Sequence, residues 1–313
     1  MAVIGISTLT GDAVAAARPR RAGLESVLVL GADNGLGTHA VRSLLDKGLQ
    51  VRVADVGTSI ELGEAAAAEL IDCSHPALLR DAVRSHDVVC DLAPVIDEPR
   101  SRLGHAIRAI ERHLLRELRA ALADALSAAP SVRLVQRSTA ALYADGGDRW
   151  IDEDWPLQPN AATQDAAAAE RTAEEHRRHG GGAVVLRLAQ PYGAGDSWSR
   201  RVATLARRGW LPFEGPPDAY FPLVRLDDAA SAIVAALHAP PGTYNVASPD
   251  AYTNDELNAL FRRRAGKRLE PLFPAIRPAD RELLERSRRL DSSALVRAAG
   301  WQPGPVFDPS AEQ

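Results

Sequence analysis

Short apolar runs alternate with helix-length amphipathic segments from residue 26 to about residue 195. Residues 27–30 are a continuous apolar run that ends at Gly31, and apolar residues then recur at helical spacing until Gly48. This pattern predicts a strand, a turn and a helix. The same reasoning predicts strands at 51–54, 69–72, 88–92, 132–135 and 183–188, and long helices at 103–126 and 161–179.

Strands that alternate with helices predict an α/β fold, a Rossmann-type doubly wound parallel sheet, because a right-handed crossover helix ordinarily joins parallel neighbours. Beyond Gly195 this rhythm loosens: prolines and aromatic residues cluster at 210–222, a helix is predicted at 228–238, and 242–247 is predicted to be an isolated strand. We therefore expect an N-terminal extension (1–25), a sheet domain (26–195) and a smaller C-terminal substrate lobe (196–313) with crossover elements back to the sheet.

Composition excludes several classes of protein. The chain has 313 residues, of which 46% are hydrophobic and 25% are charged, as in ordinary globular proteins. The net charge of −4 gives no reason to expect a nucleic-acid partner. No apolar stretch approaches the roughly 20 residues that span a bilayer, so no membrane association is expected. Cys73 and Cys90 form no CxxC, and His176 and His179 lack a third ligand at suitable spacing, so we expect a cytoplasmic protein without a metal.

A glycine-rich turn follows the first predicted strand. Its sequence, GADNGLG, places Gly31, Gly35 and Gly37 where a tight turn, an approaching pyrophosphate and close helix packing each favour glycine. Asp55 ends the second predicted strand, where a carboxylate can bind an adenosine ribose and repel a 2′-phosphate. The motif predicts a dinucleotide site that prefers NAD to NADP.

The chain from about residue 26 to 303 resembles the short-chain dehydrogenase/reductase superfamily, in its extended NAD-dependent epimerase/dehydratase branch. The resemblance rests on the glycine turn and on the order of the segments ELIDCS, DVVCDLAP, STAALY, LRLAQPYG and VRLDDAASAIVAAL. It implies an NAD-binding domain at 26–195. The motif and the resemblance together imply cofactor contacts from Gly31, Asn34, Gly35, Leu36, Gly37, Asp55, Asp72, Cys73, Leu92, Ala93, Pro94 and Pro191.

The resemblance also implies a catalytic tyrosine, and a lysine four residues after it, which this chain lacks. Thr163 stands at the tyrosine position and Ala167 at the lysine position, and none of the five tyrosines is followed by lysine at the fourth residue. Thr139 occupies the position of the family's Ser/Thr. Without a phenol whose ionisation a lysine promotes, carbonyl reduction by the family mechanism is not expected.

Other polar residues fall at the predicted carboxyl ends of strands, where such a sheet binds its ligands. We assign Thr139, Tyr143 and Asp91 as candidate catalytic groups, and Asp91 has the alternative role of a structural carboxylate, which we favour. Gln190, Tyr192 and Arg100 are candidate substrate-binding residues.

Three functions remain open. The first is a small-molecule tailoring enzyme that uses NAD with a non-standard acid or base. The second is a non-redox isomerase, dehydratase or cyclase that uses the same pocket, and the third is an NAD-binding pseudoenzyme or regulator. By the resemblance we also expect a homodimer that pairs through the two long predicted helices.

Overall fold

The structure is a computed structural model that describes residues 26–55, 69–72, 75–95, 102–265, 270 and 278–306, with only the backbone of 55, 69–72, 102–112, 264 and 265. The strands are β1 (Ser26–Leu30), β2 (Gln50–Asp55), β3 (Glu69–Asp72), β4 (Val88–Asp91), β5 (Arg133–Thr139), β6 (Trp150–Ile151), β7 (Ala183–Leu188), β8 (Gln190–Tyr192), β9 (Leu223–Arg225), β10 (Gly242–Val246) and β11 (Arg289–Leu290). The helices are α1 (Gly35–Asp46), α2 (Pro76–Arg84), α3 (Arg102–Ser127), α4 (Gln164–Arg178), α5 (Ser197–Arg208), α6 (Leu226–Ala236), α7 (Asn254–Ala265), α8 (Pro278–Glu285) and α9 (Ser293–Ala299).

A seven-stranded parallel sheet is the centre of the fold. Its strand order is β10-β7-β5-β4-β1-β2-β3, and every pairing in it is parallel. The chain moves outward from β1 to β3 and then returns to the other side of β1 at β4, which makes the ends of β1 and β4 the switch point where such sheets bind ligands. The predicted Rossmann-type sheet is confirmed.

Side chains of the central strands alternate between two helical layers. Val27 and Val29 share an apolar cluster with residues of α1 and α6, whereas Leu28 and Leu30 share another with residues of α2, α3 and α4. Because both faces of each strand are covered, the strands are continuous apolar runs rather than alternating ones. This is why their positions could be predicted from sequence.

The strand predicted at 242–247 is not isolated. It forms β10, which pairs with β7 at the edge of the main sheet. Helix α6 packs against α1 and leads the chain back to this edge, so both elements are crossover elements from the C-terminal part. The prediction of an isolated strand was wrong. The two paired strands are 54 residues apart, from Leu188 to Gly242, and the packing of α6 brings them together. Such a pairing leaves no signal in the local sequence. The division at residues 195 and 196 stays a prediction.

Two small parallel pairings carry the C-terminal part onto the sheet domain. Strand β8 pairs with β9, and β11 pairs with β6, so that Arg289 lies opposite Trp150. These pairings bring residues 190–225 and 286–290 to the carboxyl end of the main sheet. No helix among the residues that the structure describes is both long and apolar enough to cross a membrane.

A buried ion pair connects α4 to the middle of the sheet. The Arg187 guanidinium donates to both Glu170 carboxylate oxygens, with Nε–Oε1 at 2.9 Å and Nη2–Oε2 at 2.8 Å. Glu170 also accepts a hydrogen bond of 2.5 Å from the Ser138 hydroxyl. The paired side chains are only 8% and 14% exposed, so each charge depends on its partner in place of water.

We expect Arg187→Met to lower the free energy of unfolding by about 3–5 kcal/mol, because Glu170 would keep a buried charge without its cation. Urea denaturation followed by circular dichroism measures the loss. Arg116→Met is the control: Arg116 pairs with Asp165 but is 59% exposed, and we expect that change to cost about 1 kcal/mol or less. Equal losses for the two variants would contradict the importance assigned to the buried pair.

Candidate functional site

A cavity of about 750 Å³ opens at the carboxyl ends of β1, β4, β5 and β7. One end is formed by the glycine turn after β1. The other end is formed by α5, by residues 212–222 and by the segment from α8 to Arg288. A cavity of this size is typical of small-molecule and cofactor sites.

The glycine turn fits closely against the loop after β4. Gly31 has a φ of +76°, and a Cβ on it would lie 2.5 Å from the backbone N and Cα of Ala93. Asn34 fixes the same contact: its Oδ1 accepts from the Gly37 N–H at 3.1 Å, and its Nδ2 donates to the carbonyl oxygens of Gly31 and Leu92 at 2.6 and 3.4 Å. Gly37 packs inside the turn, where a Cβ would collide with the Gly31 carbonyl oxygen.

Gly35 has a different surrounding. It begins α1 and lines the cavity together with Leu36, and a Cβ there would lie 3.3 Å from the backbone of Asp196. The first turn of α1 contains no acidic residue. No side chain of the helix therefore offsets the positive end of the helix dipole, which faces the cavity. A helix start of this kind, with glycine at the point of closest approach, fits a pyrophosphate.

The structure brings together part of the predicted cofactor set. The residues of that set that line the cavity are Gly31, Asn34, Gly35, Leu36, Ala93, Pro94 and Pro191. Asp55 and Asp72 lie opposite each other at the ends of β2 and β3, but their side chains lie outside the description. Cys73 and Arg100 lie outside the described residues altogether. Gly37 and Leu92 do not line the cavity; they pack the turn and the β4 loop.

Thr139 and Gln190 lie in the cavity wall, as predicted for residues that meet a substrate. The Thr139 hydroxyl accepts the Ala141 N–H at 3.1 Å at the start of a single 3-10 turn, which leaves its own proton available for donation. Gln190 donates to the Pro191 carbonyl oxygen at 3.0 Å, so its amide oxygen is not used in that contact.

Asp91 has a structural role and does not line the cavity. Its carboxylate accepts from Gln136 Nε2 at 2.8 Å and from the Ala93 N–H at 3.2 Å, and Arg119 Nε lies 3.5 Å away. Arg119 in turn donates to the carbonyl oxygens of Ala93 and Pro94, which do line the cavity. These contacts favour the alternative of a satisfied structural carboxylate, and a role of Asp91 as a base stays a prediction.

Tyr143, the residue predicted to have a proton role, lies in the core. Its side chain is fully buried and does not line the cavity. The phenol donates to Asn245 Oδ1 at 2.7 Å and accepts from Arg187 Nη1 at 3.0 Å. Burial raises the pKa of Tyr143 to about 12, which opposes ionisation. The sequence placed Tyr143 near the site correctly along the chain, but the 3-10 turn after Thr139 directs it into the core.

Tyr192 does not line the cavity either. It packs with Phe213, Leu223 and Leu257 in an aromatic cluster behind the wall. Other members of that cluster do reach the cavity: Trp198 and Phe221 stack with ring centroids 5.9 Å apart, and Phe213 meets Phe221 edge to face at 5.4 Å. Tyr192 therefore supports the wall in this structure, and its predicted contact with substrate stays a prediction.

Sequence reasoning missed the charged residues of the far end. The charged residues in the wall that sequence reasoning missed are Asp33, Arg137, Asp196, Arg200, Arg201, Glu214, Asp280 and Arg288. Burial raises the pKa of Glu214, although Arg201 and Arg281 oppose this shift. The cluster of aromatic residues at 210–222 was a sequence signal for this end of the cavity. The cluster has no periodicity, so it could not predict which of its polar residues line the cavity.

Comparison with known proteins identifies the family. The model of the NAD dependent epimerase/dehydratase family matches residues 27–247, from β1 to the end of β10. The chain belongs to this family. The resemblance inferred from the motifs is confirmed, and the family's cofactor agrees with the predicted preference for NAD.

Individual relatives have differing activities. The chain is 30% identical over 222 residues to a 3-diazoavenalumate denitrifying reductase from a Streptomyces species, an alignment that covers 67% of this chain and 71% of the relative. Its fold is similar to a UDP-glucose 4-epimerase of Thermus thermophilus solved with NAD, at 25% identity and a TM-score of 0.71 over 90% of this chain and 95% of that one. A dTDP-glucose 4,6-dehydratase of Streptomyces venezuelae matches with a TM-score of 0.73 at 22% identity, over 90% and 93%.

The two residues predicted at the tyrosine and lysine positions, Thr163 and Ala167, both pack against their neighbours in the structure. Thr163 is fully buried, and its hydroxyl exchanges hydrogen bonds with the backbone of Asn160 at 2.9 and 3.3 Å. Ala167 packs on the cluster that contains Val95 and Leu142. Lys47 follows α1 at its far end, roughly 18 Å along the helix from Gly35 at about 1.5 Å per residue, and Lys267 lies outside the described residues.

All five tyrosines are described, and none of them lines the cavity. Within the described part of the chain, no group of three metal-binding side chains lies close enough together to hold a metal ion.

We expect Tyr143→Phe to leave the affinity for NADH within about twofold of wild type while lowering the free energy of unfolding by about 1–3 kcal/mol, because Asn245 Oδ1 would lose its donor in the core. NADH fluorescence titration measures the first quantity and urea denaturation the second. A loss of cofactor binding without a loss of stability would contradict the structural role of this phenol.

Proposed function

We propose that this family member is an NADH-dependent reductase of an aromatic small molecule, and that its substrate accepts a hydride without needing a proton from the protein. The observation that carries the proposal is the lack of a tyrosine in the cavity wall: the glycine turn is intact, but Tyr143 is held in the core and no other tyrosine lines the wall. A carbonyl acceptor would become an alkoxide and need an acid. An acceptor that expels a neutral leaving group would not.

An arenediazonium group is the acceptor that best meets this condition. NADH, when bound, supplies a hydride, and an arenediazonium that takes it up loses N2 and becomes the arene, with NAD⁺ as the other product and no proton consumed. The 30% identical relative is named for the reductive denitrification of a diazo compound, which supports this choice.

The residues of the chain would bind and orient the reactants. The start of α1 at Gly35 and Leu36 would hold the pyrophosphate, and Pro191 would border the nicotinamide. Thr139 and Gln190, between the two ends of the cavity, would orient the substrate by hydrogen bonds. Trp198, Phe213 and Phe221 would contact its aromatic ring and exclude water.

A pair of substrates that differ only in their acceptor tests the proposal. With NADH deuterated at C4, we expect 4-carboxybenzenediazonium to give N2 and benzoate that carries deuterium at the carbon that held nitrogen. The matched 4-carboxybenzaldehyde should not be reduced. Reactions without protein and without NADH are the controls, because diazonium salts also react spontaneously.

Reduction of the aldehyde but not of the diazonium would overturn the proposal. Substrate conversion without deuterium transfer would favour the non-redox isomerase, dehydratase or cyclase. Cofactor binding without conversion of either substrate would favour the regulator.

Glu214 provides the second test, because its raised pKa makes it the acid in the wall best suited to an acid–base reaction, and so to the non-redox alternative. We expect Glu214→Gln to leave kcat with the diazonium within about threefold of wild type, whereas loss of a general acid would lower kcat by roughly 10²–10⁴-fold. The kcat of the wild type should also be constant across neutral pH. A bell-shaped profile together with an inactive Glu214→Gln variant would instead support acid–base catalysis.

A cytoplasmic location and a homodimer that pairs through α3 and α4 also belong to the proposal. The location rests on the cysteine pattern and the composition, and the homodimer rests on the family resemblance. Sedimentation equilibrium measures the oligomeric state.

A further inference from the structure

Four arginines have side chains that are nearly removed from solvent near the site, and three of them have a carboxylate partner. Arg119 contacts Asp91, Arg187 binds Glu170, and Arg286 contacts Glu282. Arg288 is the exception. It is 6% exposed, and no acidic side chain among the described residues forms an ion pair with it.

The hydrogen bonds of Arg288 are equally incomplete. Its Nη2 donates to the Leu283 carbonyl oxygen at 2.9 Å, but Nε and Nη1 are buried without an acceptor. Nε carries one hydrogen and Nη1 two, so three donor hydrogens are unused. Burial and the neighbouring Arg286 lower the pKa of Arg288 to about 10, although the charge of Asp145, which forms no ion pair with it, opposes this shift. A buried guanidinium without an ion pair is costly to keep, and unused buried donors call for an explanation such as a bound ion or ligand.

Arg288 lies between two cavities. It forms part of the wall of the large cavity, near Phe221, and also borders a small cavity of about 10 Å³ beside Ser248, whose hydroxyl is likewise buried without a partner. The small cavity has room for about one water molecule. A water there could accept hydrogen bonds, but it would not supply the missing negative charge.

We infer that Arg288 binds a carboxylate of the substrate in the large cavity, an inference that rests on the proposed function and names the substrate class as an aromatic carboxylate. The neighbouring Phe213, Phe221 and Trp198 supply a surface for a planar ring. A single negative charge matches the buried guanidinium of Arg288. Glu214 and Asp280 line the same end as the exposed Arg200 and Arg201, so these surface charges offset one another and Arg288 is left as a buried cation of this wall.

Binding of two inert probes to the NAD-loaded protein tests this assignment without turnover. Cinnamate carries a carboxylate, and cinnamamide has the same shape without the charge. By calorimetry we expect wild type to bind cinnamate roughly 10- to 100-fold more tightly than cinnamamide, the range for hydrogen bonds to charged groups. Arg288→Met should abolish this preference. Arg201→Met is the matched control, since it removes the same charge from an exposed position in the same wall and should keep most of the preference.

Stability provides a readout that a merely structural arginine would not give. We expect Arg288→Met to be at least as resistant to urea as wild type, because it removes a buried charge that has no partner. Cinnamate should raise the unfolding temperature of wild type and leave that of Arg288→Met unchanged. If Arg288→Met does not fold, Arg288→Gln replaces it in both measurements.

Three results would overturn the assignment. The first is equal binding of the two probes to wild type, which includes no binding of either. The second is a preference for cinnamate that survives Arg288→Met, and the third is tighter binding of phenyl phosphate than of cinnamate. None of them depends on reduction. If the diazonium is not reduced but the preference for cinnamate disappears with Arg288, the proposed function fails while the carboxylate site stands.

Discussion

The structure depends on one close backbone contact, that between Gly31 after β1 and Ala93 after β4. Only a residue without a Cβ and with a left-handed conformation allows it, because a side chain would lie within 2.5 Å of the Ala93 backbone. Asn34 then bridges the two loops by bonding to Gly31, Gly37 and Leu92. With the switch point closed in this way, α1 begins at the cavity and directs the positive end of its dipole into it.

Buried charge follows a consistent rule around this contact. Asp91 is completed by Arg119 and Gln136, and through Arg119 it holds the carbonyl oxygens of the loop that lines the cavity. Glu170 and Arg187 are completed by each other and by Ser138 and Tyr143. These groups are residue types that often react, but in the structure each of them forms its hydrogen bonds with other residues of the scaffold. Arg288 differs, because it is buried without a carboxylate partner. A buried charge without a partner indicates a ligand site better than the residue type alone does.

A cavity wall without a tyrosine limits which reactions the scaffold can support. Thr163 and Ala167 pack at the start of α4, and the cavity has a glycine turn suited to a dinucleotide but no phenol in its wall. Hydride transfer that expels a neutral group needs orientation and exclusion of water more than it needs an acid. The aromatic wall of Trp198, Phe213 and Phe221 would supply both the orientation of the substrate and the exclusion of water.

The sequence by itself determined the strands, the crossover helices, the glycine turn and the absence of a Tyr-x-x-x-Lys pair. These features depend on local periodicity or on residue identity at fixed spacing, which the chain carries directly. Only the tertiary structure decided that 242–247 joins the sheet, that Tyr143 and Asp91 are structural, and that Arg288 lies unpaired in the cavity wall. The first three depend on partners more than 40 residues away, such as Asn245 for Tyr143 and Gln136 for Asp91. The physical reason is that burial and pairing are properties of the packed chain, and no pattern along the sequence records them.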